Sequence, residues 1–291
     1  MKTYRLLDSG NELKLEELAG IRMVRPCSHA FWKPSLSEGE WKKAQAIFTR
    51  TESGKGSWDF PKTQRGALPA EWELCVDELS CLIRLTDFGH VGIFPEHHKS
   101  ETLKSLLASF ASDKKPFRLL NLFAYTGVTS LMAAKAGASV VHVDASKKSV
   151  DWAQENAKRS HLSDLPIRWM VDDCKKFVDK ELRRKSLYQG IILDPPSFGR
   201  GPQGEIWKIE EHLVPLLERL QGLMAEDFSF LQLSCHTPGF TPLTLKNLLS
   251  RGLPEAVKKR GHIESFEMSL YEESTKNHIP SGIAASFCCK L

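Results

Sequence analysis

Three acidic residues stand where apolar runs end: Asp144 closes HVD, Asp173 follows MVD, and Asp194 follows IIL. If those runs are parallel strands, ligands bind beyond their carboxyl ends, so these are the positions where chemistry is read. The loop after the first apolar run, Asn121-Leu122-Phe123-Ala124-Tyr125-Thr126-Gly127, lacks the G-x-G-x-x-G that brings a backbone against a pyrophosphate. Nor does the chain carry G-x-x-x-x-G-K-[ST], so dinucleotide and nucleoside triphosphate chemistry are both disfavoured. Asp144 could accept hydrogen bonds from both hydroxyls of a ribose. A ribose-binding acid without a phosphate-binding glycine loop suits an adenosine cofactor that has no phosphate, and S-adenosylmethionine is that cofactor. Asp173 suits the exocyclic amine of adenine. Helix capping is the alternative use for both acids.

Leu193-Asp194-Pro195-Pro196-Ser197-Phe198-Gly199-Arg200 is the strongest local signal. Two prolines donate no ladder hydrogen bond and cannot continue a central strand. They fix a stiff, extended loop instead. With an acid before it and an aromatic after it, such a loop can hold the amino-bearing edge of a base and stack on its face.

The elements that must position these residues follow from periodicity. After residue 100, strands are expected over 117–124, 139–143, 167–171, 190–193 and 228–233. Helices over 128–136, 149–159, 175–182 and 210–225 alternate with them, and an antiparallel hairpin of 264–271 and 283–288 closes the sheet. The fold class is α/β, a Rossmann-like parallel sheet covered on both faces. The first hundred residues read as a small β-rich domain. Apolar runs at 21–24, 72–76 and 82–85 lie among the turn clusters DSGN, TESGKGS and KTQRGALP, with one short helix over 38–48. Domains are therefore expected at 1–100 and 101–291. Trp32, Trp41, Trp58 and Trp72 would fill the small core or, alternatively, offer a base-stacking surface.

The chain has 291 residues, with 40 Lys+Arg against 36 Asp+Glu and a net charge of +4. That permits a nucleic-acid partner without requiring one. Lys175, Lys176, Arg183, Arg184, Lys185, Arg200, Lys258, Lys259 and Arg260 form either solvated helix faces or a phosphate track. No apolar stretch reaches the roughly 18 residues of a membrane span, and charges interrupt the N-terminus too early for a signal peptide. Seven cysteines without a C-x-x-C pair imply a reduced, cytoplasmic protein and no zinc ribbon. His90, His97 and His98 lack metal-ligand spacing, and no metal is expected.

NLFAYTG, HVDASKKSVDWAQENAK, VDDCKKF and ILDPPSFGRG, in that order, resemble class I S-adenosylmethionine-dependent methyltransferases. More narrowly, they resemble the bacterial branch that includes the 23S ribosomal RNA large-subunit enzymes of cytosine-C5 and guanine-N7 type. FGHVGIFPEHH resembles the lead-in hairpin of that branch, so the resemblance runs from about residue 86 to the end. Those enzymes often carry a PUA or THUMP domain in front, and the first hundred residues here resemble neither. The resemblance implies that Asn121, Phe123, Tyr125, Thr126 and Gly127 surround the methionine part of the cofactor. It implies Asp144 on the ribose with Ala145 and Ser146 beside it, Asp173 and Cys174 near the adenine, and Asp194 and Pro195 beside the methyl donor. Phe94 and Glu96 would cover the cofactor.

The expected activity is methylation of a base of ribosomal RNA, with Asp194, Pro195, Pro196 and Phe198 in the catalytic loop. Two acceptors fit. A cytosine C5 needs a thiolate to add at C6, and Cys235, in Leu233-Ser234-Cys235-His236, falls where the cytosine-C5 enzymes carry their nucleophile. It is expected to face the cleft with Asp194, with His236 lowering its pKa; a buried small hydrophobe is the other reading. A purine nitrogen needs only positioning. A protein or small-molecule acceptor, or a non-catalytic RNA-binding module that keeps the cofactor fold, are the alternatives.

Overall fold

Two tight turns organise the first strands. Asn11 and Glu12 (φ 52° and 61°), then Ala19 and Gly20 (φ 54° and 90°), take left-handed conformations, the backbone that joins antiparallel strands in keeping with their twist. In the computed structural model, which describes residues 3–51, 56–61, 68–98 and 117–289, these turns connect β1 (Tyr4–Gly10), β2 (Leu13–Leu18) and β3 (Ile21–Pro26). β4 (Ala46–Arg50) joins β3 in parallel, and β5 (Gly56–Asp59) completes a sheet ordered β1-β2-β3-β4-β5. β6 (Trp72–Val76) and β7 (Leu79–Ile83) pair as a separate hairpin. The turn residues 52–55 and 62–67 and the expected domain boundary at 100 lie outside the described residues.

The helix expected over 38–48 is corrected to a single turn, Glu38–Trp41. Ile47 and Phe48 instead enter β4, where a pleated neighbour suits β-branched and aromatic side chains better than a helix does. The four tryptophans each donate their indole N–H: Trp32 to Ser9, Trp41 to Asp8, Trp58 to the Thr86 carbonyl and Trp72 to the Leu18 carbonyl. In β2 Glu16 is fully buried. Burial alone would raise its pKa, but the Arg25 guanidinium, at 2.6 and 2.9 Å, and Lys14 hold it at about 2.

The chain forms two compact units, Met1–Lys99 with Ser269–Pro280, and Ser100–Met268 with Ser281–Leu291. The second unit is built on β8 (Arg118–Leu122), β9 (Ser139–Asp144), β10 (Ile167–Val171) and β11 (Gly190–Leu193), followed by the small hairpin of β12 (Phe198–Arg200) and β13 (Ile206–Lys208). β14 (Phe230–Cys235) follows, with β15 (Gly261–Tyr271) and β16 (His278–Cys289), whose residues 269–271 and 278–280 are counted in the first unit. The main sheet is ordered β10-β9-β8-β11-β14-β16-β15, with β16 antiparallel to β14. The expected parallel sheet and its closing antiparallel hairpin are therefore both present. Helices Val128–Lys135, Lys147–Arg159 and Cys174–Arg184 follow β8, β9 and β10 in turn. The chain then crosses back to lay β11 on the other side of β8, and that reversal opens a crevice at the strand ends.

The two faces of this sheet differ in chemistry. Leu120, Leu122, Val141, Val143, Ile191, Leu193, Leu231 and Leu233 belong to one large apolar core. The opposite face carries Leu119, Val140, Ile192 and Phe230, and at one register level His142, Asn121, Ile192, Gln232 and Ser286 cross five strands. Asn121 Nδ2 donates to Ser130 Oγ at 2.9 Å, and Ser130 Oγ lies 3.0 Å from His142 Nδ1. Burial lowers the His142 pKa from 6.5 to about 3. A neutral buried imidazole supplies stability that is complete above its unfolded value and lost as pH falls through the interval below it. The urea midpoint is therefore expected to decline between about pH 6.5 and 3 more steeply in the natural chain than in His142→Gln. Parallel profiles would remove His142 as the cause. Among the described residues, no helix is long and apolar enough to cross a membrane.

Candidate active site

The loop between β8 and its helix is held in an unusual conformation. Phe123, Tyr125 and Gly127 all have positive φ, at 56°, 49° and 80°. Non-glycine residues persist there only when their surroundings hold them. Asp144, at the end of β9, accepts from the Tyr125 amide through Oδ2 and from the Ser146 amide through Oδ1, both at 2.8 Å. Asn156, buried on the helix Lys147–Arg159, donates to the Thr126 carbonyl at 2.9 Å. Asp144 does not cap that helix; Ser146 does, accepting from the Ser149 amide. Burial raises the Asp144 pKa above the ordinary carboxylate value, against the two backbone hydrogen bonds that lower it. Ala145 is half-buried between these anchors.

Gly127 is required twice over. Its φ of +80° disfavours a side chain, and an added Cβ would stand 2.8 Å from the Ala153 Cβ. Gly127→Ala is expected to destabilise the chain by about 1–3 kcal/mol, read by urea unfolding. An unchanged midpoint would show that the loop relaxes freely.

Asp173 is buried and caps the helix Cys174–Arg184, accepting from the Lys176 amide at 3.0 Å. Cys174 is buried beside it. Its thiol is pushed well up by burial, with the backbone hydrogen bond from Phe123 opposing. Asp194 follows β11 and is half-buried, with Ser234 Oγ donating to its Oδ1 at 2.7 Å. His236 Nε2 lies 3.9 Å from the same oxygen. Pro195 is buried and Pro196 exposed. The Pro196 carbonyl accepts from the Trp207 indole at 2.7 Å, and the Ser197 carbonyl from the Ile209 amide at 3.1 Å. Phe198 projects outward, 53% exposed.

Trp207 and Asn156 were not singled out in the sequence. The Trp207 ring packs 4.7 Å from Phe123 and 5.7 Å from His212. It thus ties the left-handed loop to the Asp-Pro-Pro segment. The available signal was the alternation around Gly204 that makes FGR and IWK a hairpin. Nothing local marks Asn156, which acts on a carbonyl 30 positions away.

Cys235 stands near enough to Asp194 to feel its charge, but its side chain is turned away from solvent. It follows Leu231 and Leu233 at strand period into the apolar core and is fully buried, while Ser234 takes the other face. Burial pushes its thiol up, against hydrogen bonds from Thr237. Phe94 and Glu96 lie in the first unit, at the short helix Pro95–His98. The Phe94 ring is 5.3 Å from His90, and Glu96 is buried. The basic arc is partly committed: Lys176 pairs with Glu205, Arg184 with Glu181 and Lys258 with Glu255. Arg260 donates to the Glu226 and Phe228 carbonyls.

The donor set discriminates among cofactors. Asp144, Asp173 and Asp194 stand at the ends of three parallel strands, and carboxylates there would repel a phosphate. They suit hydroxyls, amines and a cationic centre instead. A phosphate-free nucleoside bearing a sulfonium meets those demands.

No protein-family model matches the chain. The chain is similar to a crystal structure described as the SAM-dependent methyltransferase from Agrobacterium tumefaciens. The two share 35% identity and a TM-score of 0.90 over 100% of this chain and 91% of that one. It is also 35% identical over 147 residues to the ribosomal RNA large subunit methyltransferase K/L of Syntrophotalea carbinolica, covering 50% of this chain and 19% of that protein. The protein of the same name from Alteromonas mediterranea is 30% identical over 222 residues, covering 72% of this chain and 30% of that protein. The chain therefore spans less than a third of the length of these curated relatives.

Proposed function

We propose, for a chain that belongs to the S-adenosylmethionine-dependent methyltransferases, that it methylates a nitrogen of a ribosomal RNA base. The observation that carries this reading is the pairing of a held carboxylate, Asp194, with an exposed ring, Phe198, four positions on. The names of the curated relatives support RNA as the acceptor.

When bound, S-adenosylmethionine supplies an electrophilic methyl on a sulfonium, and in-line displacement from it needs chiefly alignment and dry surroundings. In this reading Asp144 accepts from the ribose hydroxyls and Asp173 from the adenine amine. The left-handed loop at Phe123–Gly127 lines the methionine part. Asp194 accepts from the amino edge of the target base, with Ser234 fixing its orientation, while Phe198 stacks on the base face. Held in this way, the base would present a nitrogen lone pair in line with the methyl that the cofactor supplies, and an amine acceptor would pass its proton to water.

The position of Cys235 favours nitrogen over cytosine C5. A nucleophilic thiolate needs access and a lowered pKa, and Cys235 has a raised pKa and no exposure. Three measurements test the proposal. Labelled methyl is expected in RNA and lost from the macromolecular fraction after ribonuclease treatment. Cys235→Ala is expected to transfer at an unchanged rate, and RNA containing 5-fluorocytidine to form no denaturation-resistant adduct. Label in protein would overturn the RNA acceptor; a trapped adduct would restore the cysteine mechanism.

A further inference from the structure

In the β12–β13 ladder Gly199 pairs with Trp207, and Trp207 is buried against the loop below. Alternation therefore turns the other four side chains outward, with Phe198 opposite Lys208 and Arg200 opposite Ile206. Phe198 is 53% exposed and Ile206 47%, a large apolar area for so short a hairpin. The Arg200 guanidinium lies 5.9 Å from the Phe198 ring centroid, within cation–π range.

The charges around this face are unevenly committed. Lys208 pairs with Glu211, and Lys176 with Glu205. Lys175 donates to the Ile206 carbonyl at 3.2 Å rather than to a carboxylate. Among the described residues, no acid pairs with Arg200. Arg200, without an acidic partner among the described residues, and Lys175, which meets Glu211 only at longer range, thus flank a ring and an aliphatic side chain that both face water. A polyanion whose monomers carry flat faces complements that arrangement; an apolar partner would leave the cations unanswered, and an acidic protein would leave the ring unstacked. The hairpin also leaves directly from the Asp194–Pro196 segment, so a strand whose base sits at Asp194 continues onto it.

We propose that the outward face of this hairpin is a platform for single-stranded RNA that extends the target-base site by one nucleotide. The neighbouring base rests on Ile206 and the Arg200 guanidinium, and Arg200 and Lys175 take the flanking phosphates. This rests on the RNA reading above.

The test uses the full chain, a fluorescein-labelled single-stranded RNA of about 12 nucleotides, and unmodified ribosomal RNA as methyl acceptor. Arg200→Ala and Ile206→Asp alter exposed positions, and calorimetry with S-adenosylmethionine checks that the cofactor site is intact. Each variant is expected to weaken RNA binding about tenfold, the size of one lost stacking contact. KM for RNA rises with it, while kcat and cofactor affinity hold. Arg200→Ala is also expected to lower the slope of log affinity against log salt by about 0.7. RNA methylated by the natural chain and by both variants with one KM and one salt slope would overturn the platform and leave the RNA reading standing. A natural chain that neither binds nor methylates RNA would overturn both.

Discussion

Asp194→Ala is expected to lower kcat by about 10³-fold, within the range that holding the acceptor in line can contribute. S-adenosylmethionine affinity should change much less. The carboxylate ends the central strand β11, with Ser234 Oγ fixing one oxygen at 2.7 Å. Alanine removes the acceptor for the base amine and leaves the Ser234 hydroxyl without its partner, so the base is no longer held in line. Asp194→Asn keeps a carbonyl oxygen and should fall between. Ser234→Ala loses one supporting hydrogen bond, about 1.5–3 kcal/mol for a charged acceptor, and should show a smaller loss of the same kind. Single-turnover transfer, with cofactor binding by calorimetry, separates the effects. Equal losses in both quantities would make Asp194 a cofactor ligand instead of an acceptor-side group.

Asp144→Ala is expected to weaken cofactor binding by about 10²–10⁴-fold, as two hydrogen bonds to a charged acceptor at about 1.5–3 kcal/mol each imply. The same substitution releases the Tyr125 and Ser146 amides, which loosens the left-handed loop, so kcat should fall as well. The pH dependence carries the sign of the raised pKa. Ribose hydroxyls donate to the ionised carboxylate, so affinity should be full at neutral pH. It should be lost as pH falls, beginning above the ordinary aspartate value of about 3.9. Calorimetry across that interval tests it. Affinity independent of pH, or unchanged in Asp144→Ala, would remove the ribose assignment.

What was legible in the sequence follows from what each signal depends on. The strands that end in Asp144 and Asp194 were readable because a buried parallel strand is apolar at nearly every position and stops at its first acid. That same two-faced burial hid the parity of β14. Leu231, Leu233 and Cys235 lie on one face and Ser234 on the other, but apolar residues on both sides leave composition unable to say which face meets the cleft. The left-handed Phe123 and Tyr125 were not readable either, because their conformation is imposed by Asp144 and Asn156 from distant elements. Over 38–48 the helical spacing was outweighed by a strand partner, β3, which only the folded sheet supplies. Trp207 carries no local mark because its importance lies in contacts with Phe123 and Pro196, remote in sequence.

The most direct test of the central claim is transfer of labelled methyl from S-adenosylmethionine to unmodified ribosomal RNA, followed by digestion to nucleosides and identification by mass. The account predicts label in a nucleoside methylated on nitrogen, undiminished with Cys235→Ala and strongly reduced with Asp194→Ala. Label in 5-methylcytidine that disappears with Cys235→Ala, or label that never enters RNA, would contradict it.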